Sequence, residues 1–284
     1  MRFRLLIAVS IAFAQATSAQ PSAQTVVPRA STRAETPYHG RSGQIQVATP
    51  RTEEDIRIDG TASEAAWLNA AVLTGFSQYS PVDGVPAADS TEVRVIYADH
   101  AIYFAIRAFE PHGAVIATRA DRDKIAGDDH VRLLLDTFND RRRAFSFAVN
   151  PFGVQSDGTY TDNSSGGVTD LSPDYLFESK GRVTEWGYEV EVRVPFKSIR
   201  YQQKGEQRWG ISVIRMVQHS GHEQSWTPAE RGNPSFLAQQ GTLMGLRDLR
   251  RGLVLDVNPV MTAQAVGAER APTDRTWTYR RESP

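Results

Sequence analysis

Apolar residues fall at every second position between 188 and 194: Tyr188, Val190, Val192 and Val194, with Glu189, Glu191 and Arg193 between them. That is the period of a strand with one face turned to a core and the other to water. Thr184-Glu185-Trp186-Gly187 ahead of it has turn chemistry, and Pro195 after it lacks a backbone donor, so the strand is expected to stop there. The same alternation runs through residues 91–98, where Val93, Val95 and Tyr97 face one way and Glu92 and Arg94 the other. After Asp99-His100, residues 101–109 are apolar almost throughout, which predicts a hairpin whose second arm is a central strand.

Further strands are predicted over 131–136, 143–150, 154–161, 175–183, 210–218 and 223–226, with turns at Asn139-Asp140-Arg141 and Pro151-Phe152-Gly153. Residues 55–58 open the set, closed by Asp59-Gly60. One short N-terminal helix is predicted over 64–71, capped by Ser63, with Ala66, Trp67 and Ala70 on one face. No strand–helix–strand unit of about 30 residues is present, so a parallel α/β fold is excluded. The pattern predicts an all-β protein, a two-sheet antiparallel β-sandwich of jelly-roll-like type.

The ends differ in character from this middle. Arg2 and Arg4 precede an apolar run over 5–14 and the small residues Thr17-Ser18-Ala19, so residues 1–19 have the form of a signal peptide and predict export to the periplasm or cell surface. The run is shorter than the roughly 18 residues of a membrane-spanning helix. Residues 20–50, mostly Ser, Ala, Gln, Thr, Pro and Arg, are expected to be a disordered linker. The sandwich is then assigned to 51–248. Residues 249–284 are expected to be a truncated tail in which Leu253-Val254-Leu255-Asp256-Val257 is a further strand. There is no cysteine, so stability must come from packing. Lys plus Arg (32) against Asp plus Glu (33) leaves a net charge of -1, which offers no electrostatic footprint for nucleic acid or an anionic membrane surface.

Four signatures stand in order: Ile58-Asp59-Gly60 with Glu64-Ala65-Ala66-Trp67; Asp128-Asp129-His130-Val131 leading to Asp136-Thr137; Phe147-Ala148-Val149-Asn150-Pro151-Phe152-Gly153; and Tyr188 through Arg200. Together they resemble the family 9-like carbohydrate-binding module. The variant they resemble precedes an outer-membrane β-barrel in a family of exported bacterial proteins, as do Gln207-Arg208-Trp209-Gly210 and Glu223-Gln224-Ser225-Trp226. The resemblance implies a jelly-roll sandwich that binds a polysaccharide or oligosaccharide, often with calcium, and whose link to an outer membrane would run only through a barrel expected after Gly252. Sugar-binding members carry a tryptophan just before the Asp-Asp strand, where this chain has Lys124-Ile125-Ala126-Gly127.

Sugars are held by flat aromatic faces with a few polar groups fixing orientation. The carbohydrate-binding candidates are Trp226, Trp186, Tyr160 and Asp129, while Trp67 and Trp209 sit in patterned elements and are assigned to the core. Asp128 and Asp129, beside Asp121 and Asp123, are the candidate metal ligands, with calcium as the ion the resemblance implies. No catalytic residues are assigned. Glu189 and Glu191 face the same way about 7 Å apart, inside the roughly 6.5–9.5 Å window of an inverting glycosidase, but with Arg193 they read as the wet face of a strand. His219-Ser220-Gly221-His222-Glu223 lacks the helical i, i+4 pair of a zinc motif. The readings in order are a non-catalytic carbohydrate-binding module tied to polysaccharide catabolism, a structural domain of a barrel protein, and a glycoside hydrolase.

Overall fold

The computed structural model describes residues 37–162, 167–202, 205–251, 259, 264–271 and 274–282. In chain order the strands are β1 (Tyr38–His39), β2 (Gln46–Ala48), β3 (Ala71–Thr74), β4 (Ser77–Ser80), β5 (Thr91–Tyr97), β6 (Ala101–Phe109), β7 (His130–Asp136), β8 (Arg143–Val149) and β9 (Gln155–Thr161). They continue as β10 (Val168–Asp170), β11 (Glu178–Thr184), β12 (Gly187–Pro195), β13 (Glu206–Val217), β14 (His222–Ser225), β15 (Gly241–Arg247), β16 (Gln264–Ala271) and β17 (Asp274–Glu282).

One sheet has six strands in the order β1-β3-β5-β6-β12-β11. The other has nine: β10-β9-β8-β7-β13-β14-β4, with β15 also on β13 and β2 on β15. Pairing is antiparallel except for the short parallel edges β1 on β3 and β2 on β15. Strands β16 and β17 form a hairpin of their own. The two large sheets meet through Val93, Val95, Phe104, Ile106, Val190 and Val192 on one side and Val131, Leu133, Phe147, Trp209, Ile211 and Val213 on the other. These are the inward positions of the period-2 pattern, and their burial supplies the main stabilising term.

The structure corrects the expected boundaries in several places. Residues 38–39 and 46–48, expected in the linker, supply an edge strand to each sheet. The pattern missed them because two- and three-residue strands carry no readable period. Residues 55–58 are not a strand, and the predicted helix is a 3-10 turn, Ala65–Asn69, leading into β3. The expected strand over 253–257 and the proposed signal peptide lie outside the described residues.

The largest correction concerns Glu189 and Glu191, expected to face water. They are 1% and 0% exposed. The outer face of the six-stranded sheet carries Ile96, Ala101, Tyr103 and Ala105, and the segment bearing Ile56, Ala66, Trp67 and Ala70 folds over it. Glu191 Oε2 accepts the backbone N–H groups of Asp59 (3.0 Å), Gly60 (2.9 Å) and Thr61 (3.2 Å), and Oε1 accepts the Trp67 indole N–H (3.2 Å). Glu189 accepts from Arg107 (2.9 Å) and Arg182 (2.8 Å). Burial works against its charge, but the two guanidinium groups hold the Glu189 carboxyl below the usual carboxylate range. Two carboxylates so engaged beneath a covering segment cannot be the acid and base of a hydrolase.

Replacing Glu191 by Ala leaves the Gly60 amide without its acceptor and takes one of two acceptors from the Asp59 and Thr61 amides and the Trp67 indole, and should cost about 3 kcal/mol. Trp67→Phe removes only the indole donor and should cost about 1–2 kcal/mol. Urea midpoints of the two variants, measured side by side, test that order.

Candidate functional site

The sequence-derived candidates do not converge. Trp226 is fully buried: its amide bonds Val213 O (2.9 Å), which continues β14, and the indole N–H donates to Tyr38 O (3.2 Å). Its ring packs on Gly241, where a Cβ would lie 2.6 Å from it. It is a core residue and no platform, because the strand alternation turns it inward. Trp186 is 36% exposed in the turn ahead of β12, tilted against Phe109 at 5.0 Å. Tyr160 is buried against Phe236, ring centroids 6.2 Å apart, and burial raises its hydroxyl pKa.

Asp128 and Asp129 are structural as well. Asp129 Oδ2 accepts the amide of Ile116 and Oδ1 that of Gln218, each at 2.7 Å. Asp128 Oδ2 accepts from Thr118 Oγ1 (3.0 Å) and Asn150 Nδ2 (2.7 Å). Nearby, Asp121 pairs with Lys124 (3.0 Å) and Asp123 Oδ1 accepts the amide of Asp157 (3.1 Å). With both oxygens of Asp129 and Oδ2 of Asp128 engaged by protein donors, this pair does not fit the calcium site implied by the resemblance.

A different face is open. Along the outer side of the nine-stranded sheet, Leu134, Ala144, Tyr160 and Ile214 are covered by Ala229, Phe236 and Leu237. The same faces of the same strands continue past that cover as His130 and Arg132 on β7, Ser146 and Ala148 on β8, Ser156 on β9, Thr169 on β10, Met216 on β13 and Glu223 on β14. They line a depression of about 340 Å³ with Asp123, Ile125, Ala126 and Leu171. Thus the loop over 121–127 stands at this depression and lines it with Asp123, Ile125 and Ala126.

Burial raises the pKa of Glu223 against the pull of Arg132 and Arg231. Burial also lowers that of His130, whose Nδ1 lies 2.8 Å from Asp128 O. In the neutral ring Nδ1–H donates to that carbonyl and Nε2 is left as an acceptor. Tyr79 on β4 is close enough for the Glu223 charge to add to burial in raising its hydroxyl pKa. The depression therefore offers two carboxylates, a guanidinium, an imidazole and three hydroxyls, a set suited to a ligand rich in hydroxyl groups. A second cleft of about 570 Å³ is lined by Arg143, Lys197, Arg200, Arg251 and the half-exposed Phe138, without a carboxylate among its described lining residues. That balance suits anions more than a neutral polyol. The six strands that build the first depression come from two stretches, 130–170 and 206–225, that pair only in the folded sheet, and its trace in the sequence was the polar residues of β7 and β8 on the face opposite their core residues.

The sequence matches the model of the carbohydrate family 9 binding domain-like family over residues 58–231. Two solved structures of a family 9 carbohydrate-binding module from Caldicellulosiruptor kristjanssonii are similar in fold. The complex with cellotriose is 17% identical at a TM-score of 0.51, covering 75% of this chain and 99% of that one. The complex with glucose is 16% identical at a TM-score of 0.49, covering 75% and 100%. No curated protein matches the sequence.

Because Trp226 fills the space between the sheets, Trp226→Ala should destabilise the fold by about 3–5 kcal/mol, the usual cost of emptying a buried tryptophan site. Trp186→Ala should leave the urea midpoint nearly unchanged. Equal, small effects would return Trp226 to the surface.

Proposed function

The chain belongs to the carbohydrate family 9 binding domain-like family, and from that premise we propose that it is a non-catalytic carbohydrate-recognition module. Its binding surface is the open depression around His130, Arg132 and Glu223. The observation that carries this reading is the half-covered outer face of the nine-stranded sheet: apolar where a loop lies on it, and mixed where it is open, with Arg132, Glu223 and hydroxyl groups set among Ala148, Leu171 and Met216. Arg132 donates in a fork and Glu223 accepts, and a sugar's vicinal hydroxyls can do both at once. The proposal extends to export, which the basic, apolar and small-residue succession over 1–19 supports. Any part in polysaccharide catabolism would be through recognition.

A second reading, a structural domain that binds no sugar, is favoured by one observation: the depression is lined by Ile125 and Ala126, and no tryptophan is among its lining residues.

Isothermal titration of the full chain with glucose, cellotriose, and xylan and chitin oligosaccharides separates the two. Millimolar or tighter binding is expected, weakened at least tenfold by Arg132→Ala and by Glu223→Gln, with thermal midpoints unchanged. Flat titrations of a folded protein would establish the structural reading.

Binding should also depend on acid. The Glu223 pKa is raised, so the carboxylate acceptor is present above that elevated value and is lost as pH falls through it. Affinity measured against pH should decline at a higher pH than an ordinary glutamate would give, and Glu223→Gln should remove that component of the decline.

A further inference from the structure

At the end of the sandwich where β5 begins and β6 finishes, a buried arginine ties the sheets together. Arg215 projects inward from β13 with 0% exposure and donates to Ser90 O (3.1 Å), Phe109 O (2.8 Å), Thr91 Oγ1 (3.0 Å) and Glu110 Oε2 (2.6 Å). Those bonds fix two short stretches side by side, Asp89-Ser90-Thr91 and Phe109-Glu110, and the turn after β13 brings His219 onto them. Ligand atoms of Asp89, Glu110 and His219 all lie within 4.8 Å of one another.

Two observations make this more than an acidic cluster. The Glu110 side chain is 1% exposed, and although Oε2 is held by Arg215, Oε1 makes no hydrogen bond. His219 Nδ1 is 3.0 Å from that oxygen but not aligned to donate to it. Moreover, a Cβ at Gly113 would lie 2.7 Å from the His219 ring, so glycine there is what lets the imidazole occupy this position. His112 stands 2.6 Å from Asp89 through Nδ1 and supplies a further imidazole at the rim.

Charge points the same way. The Asp89 and Glu110 carboxylates are both buried, and the Arg215 guanidinium binds only Glu110 of the two. We propose that Asp89, Glu110 and His219 bind a divalent transition-metal ion of the zinc class. The imidazole nitrogen selects this class over calcium, which takes oxygen ligands. An oxygen and a nitrogen 3.0 Å apart subtend about 95° at a shared ion with bonds of about 2.0–2.1 Å, an angle a four- to six-coordinate site accepts. Arg215 on the second oxygen would orient the glutamate toward the ion.

The test is metal titration of the full chain after dialysis against EDTA. One equivalent of Zn²⁺ is expected to bind at micromolar or tighter affinity and to raise the thermal midpoint. His219→Ala, whose side chain reaches solvent, should keep the metal-free midpoint and weaken binding at least tenfold; Asp89→Asn should weaken it likewise. A Co²⁺-loaded sample should show visible bands that His219→Ala abolishes. No uptake by the folded protein, uptake indifferent to His219→Ala, or preference for Ca²⁺ over Zn²⁺ would each overturn the assignment. None of these readouts involves a carbohydrate, so they stand or fall apart from the sugar-binding reading.

Discussion

A carboxylate taken out of water must find donors for its lone pairs, or the cost exceeds what nearby packing can offset. Much of this sandwich is arranged around that requirement. Glu191 gathers the amides of Asp59, Gly60 and Thr61 with the Trp67 indole, and so fastens the covering segment to the outer face of the six-stranded sheet. Asp129 joins the 116 region to the end of β13, and Asp128 joins Thr118 to Asn150, whose own side-chain oxygen accepts the amides of Phe152 and Val154. The signatures that looked like separate motifs are thus halves of shared hydrogen-bond clusters. Ile58-Asp59-Gly60 and Trp67 belong with Glu191, and Asp128 belongs with Asn150. Their main role is to hold the fold, and of the residues quoted in the four signatures only His130 and Ala148 also line the depression that could hold a ligand.

The long strands were legible because one physical rule governed them. Ala101–Phe109 and Thr91–Tyr97 have a face on the main core, and the alternation of Val93, Val95 and Tyr97 follows from that alone. The rule failed where a second layer intervened. Glu189, Glu191 and Arg193 have the pattern of a solvated face, yet a distant segment covers Glu191, and the guanidinium groups of Arg107 and Arg182 enclose Glu189. A polar residue on a strand means water or a buried partner, and the strand's own sequence does not distinguish the two. Trp226 failed for the converse reason. Set at the end of a short predicted strand, it was offered as an exposed aromatic face, but its amide continues the ladder and its ring is drawn into the core.

The candidate depression was hidden because it belongs to the sheet and not to any stretch of chain. Most of its lining comes from β7, β8, β9, β10, β13 and β14, one or two residues from each, with Asp123, Ile125, Ala126 and Leu171 added from loops. Such a surface is held rigidly by inter-strand bonding, so a ligand would meet side chains already in position and little ordering entropy would oppose binding. The lack of an aromatic plane in its lining means that affinity would rest on hydrogen bonds, which exchange with water and yield modest net gains. A weak, reversible contact is what that chemistry predicts.

The parallel pairing of β2 with β15 joins the earliest described strands to nearly the last strand of the sandwich: Thr242 stands against Gln46, Leu243 against Val47 and Met244 against Ala48. Meanwhile β1, a few residues away, edges the opposite sheet along β3. Closing this loop requires almost the whole intervening chain to be in place, and contacts so remote in sequence are made late because the entropy of bringing them together comes before any return from packing. Until then the edges of β3 and β15 are exposed templates for pairing with other chains. Folding should therefore end with this short segment clasping both sheets, and the interval before it does so is when the molecule is most prone to associate with copies of itself.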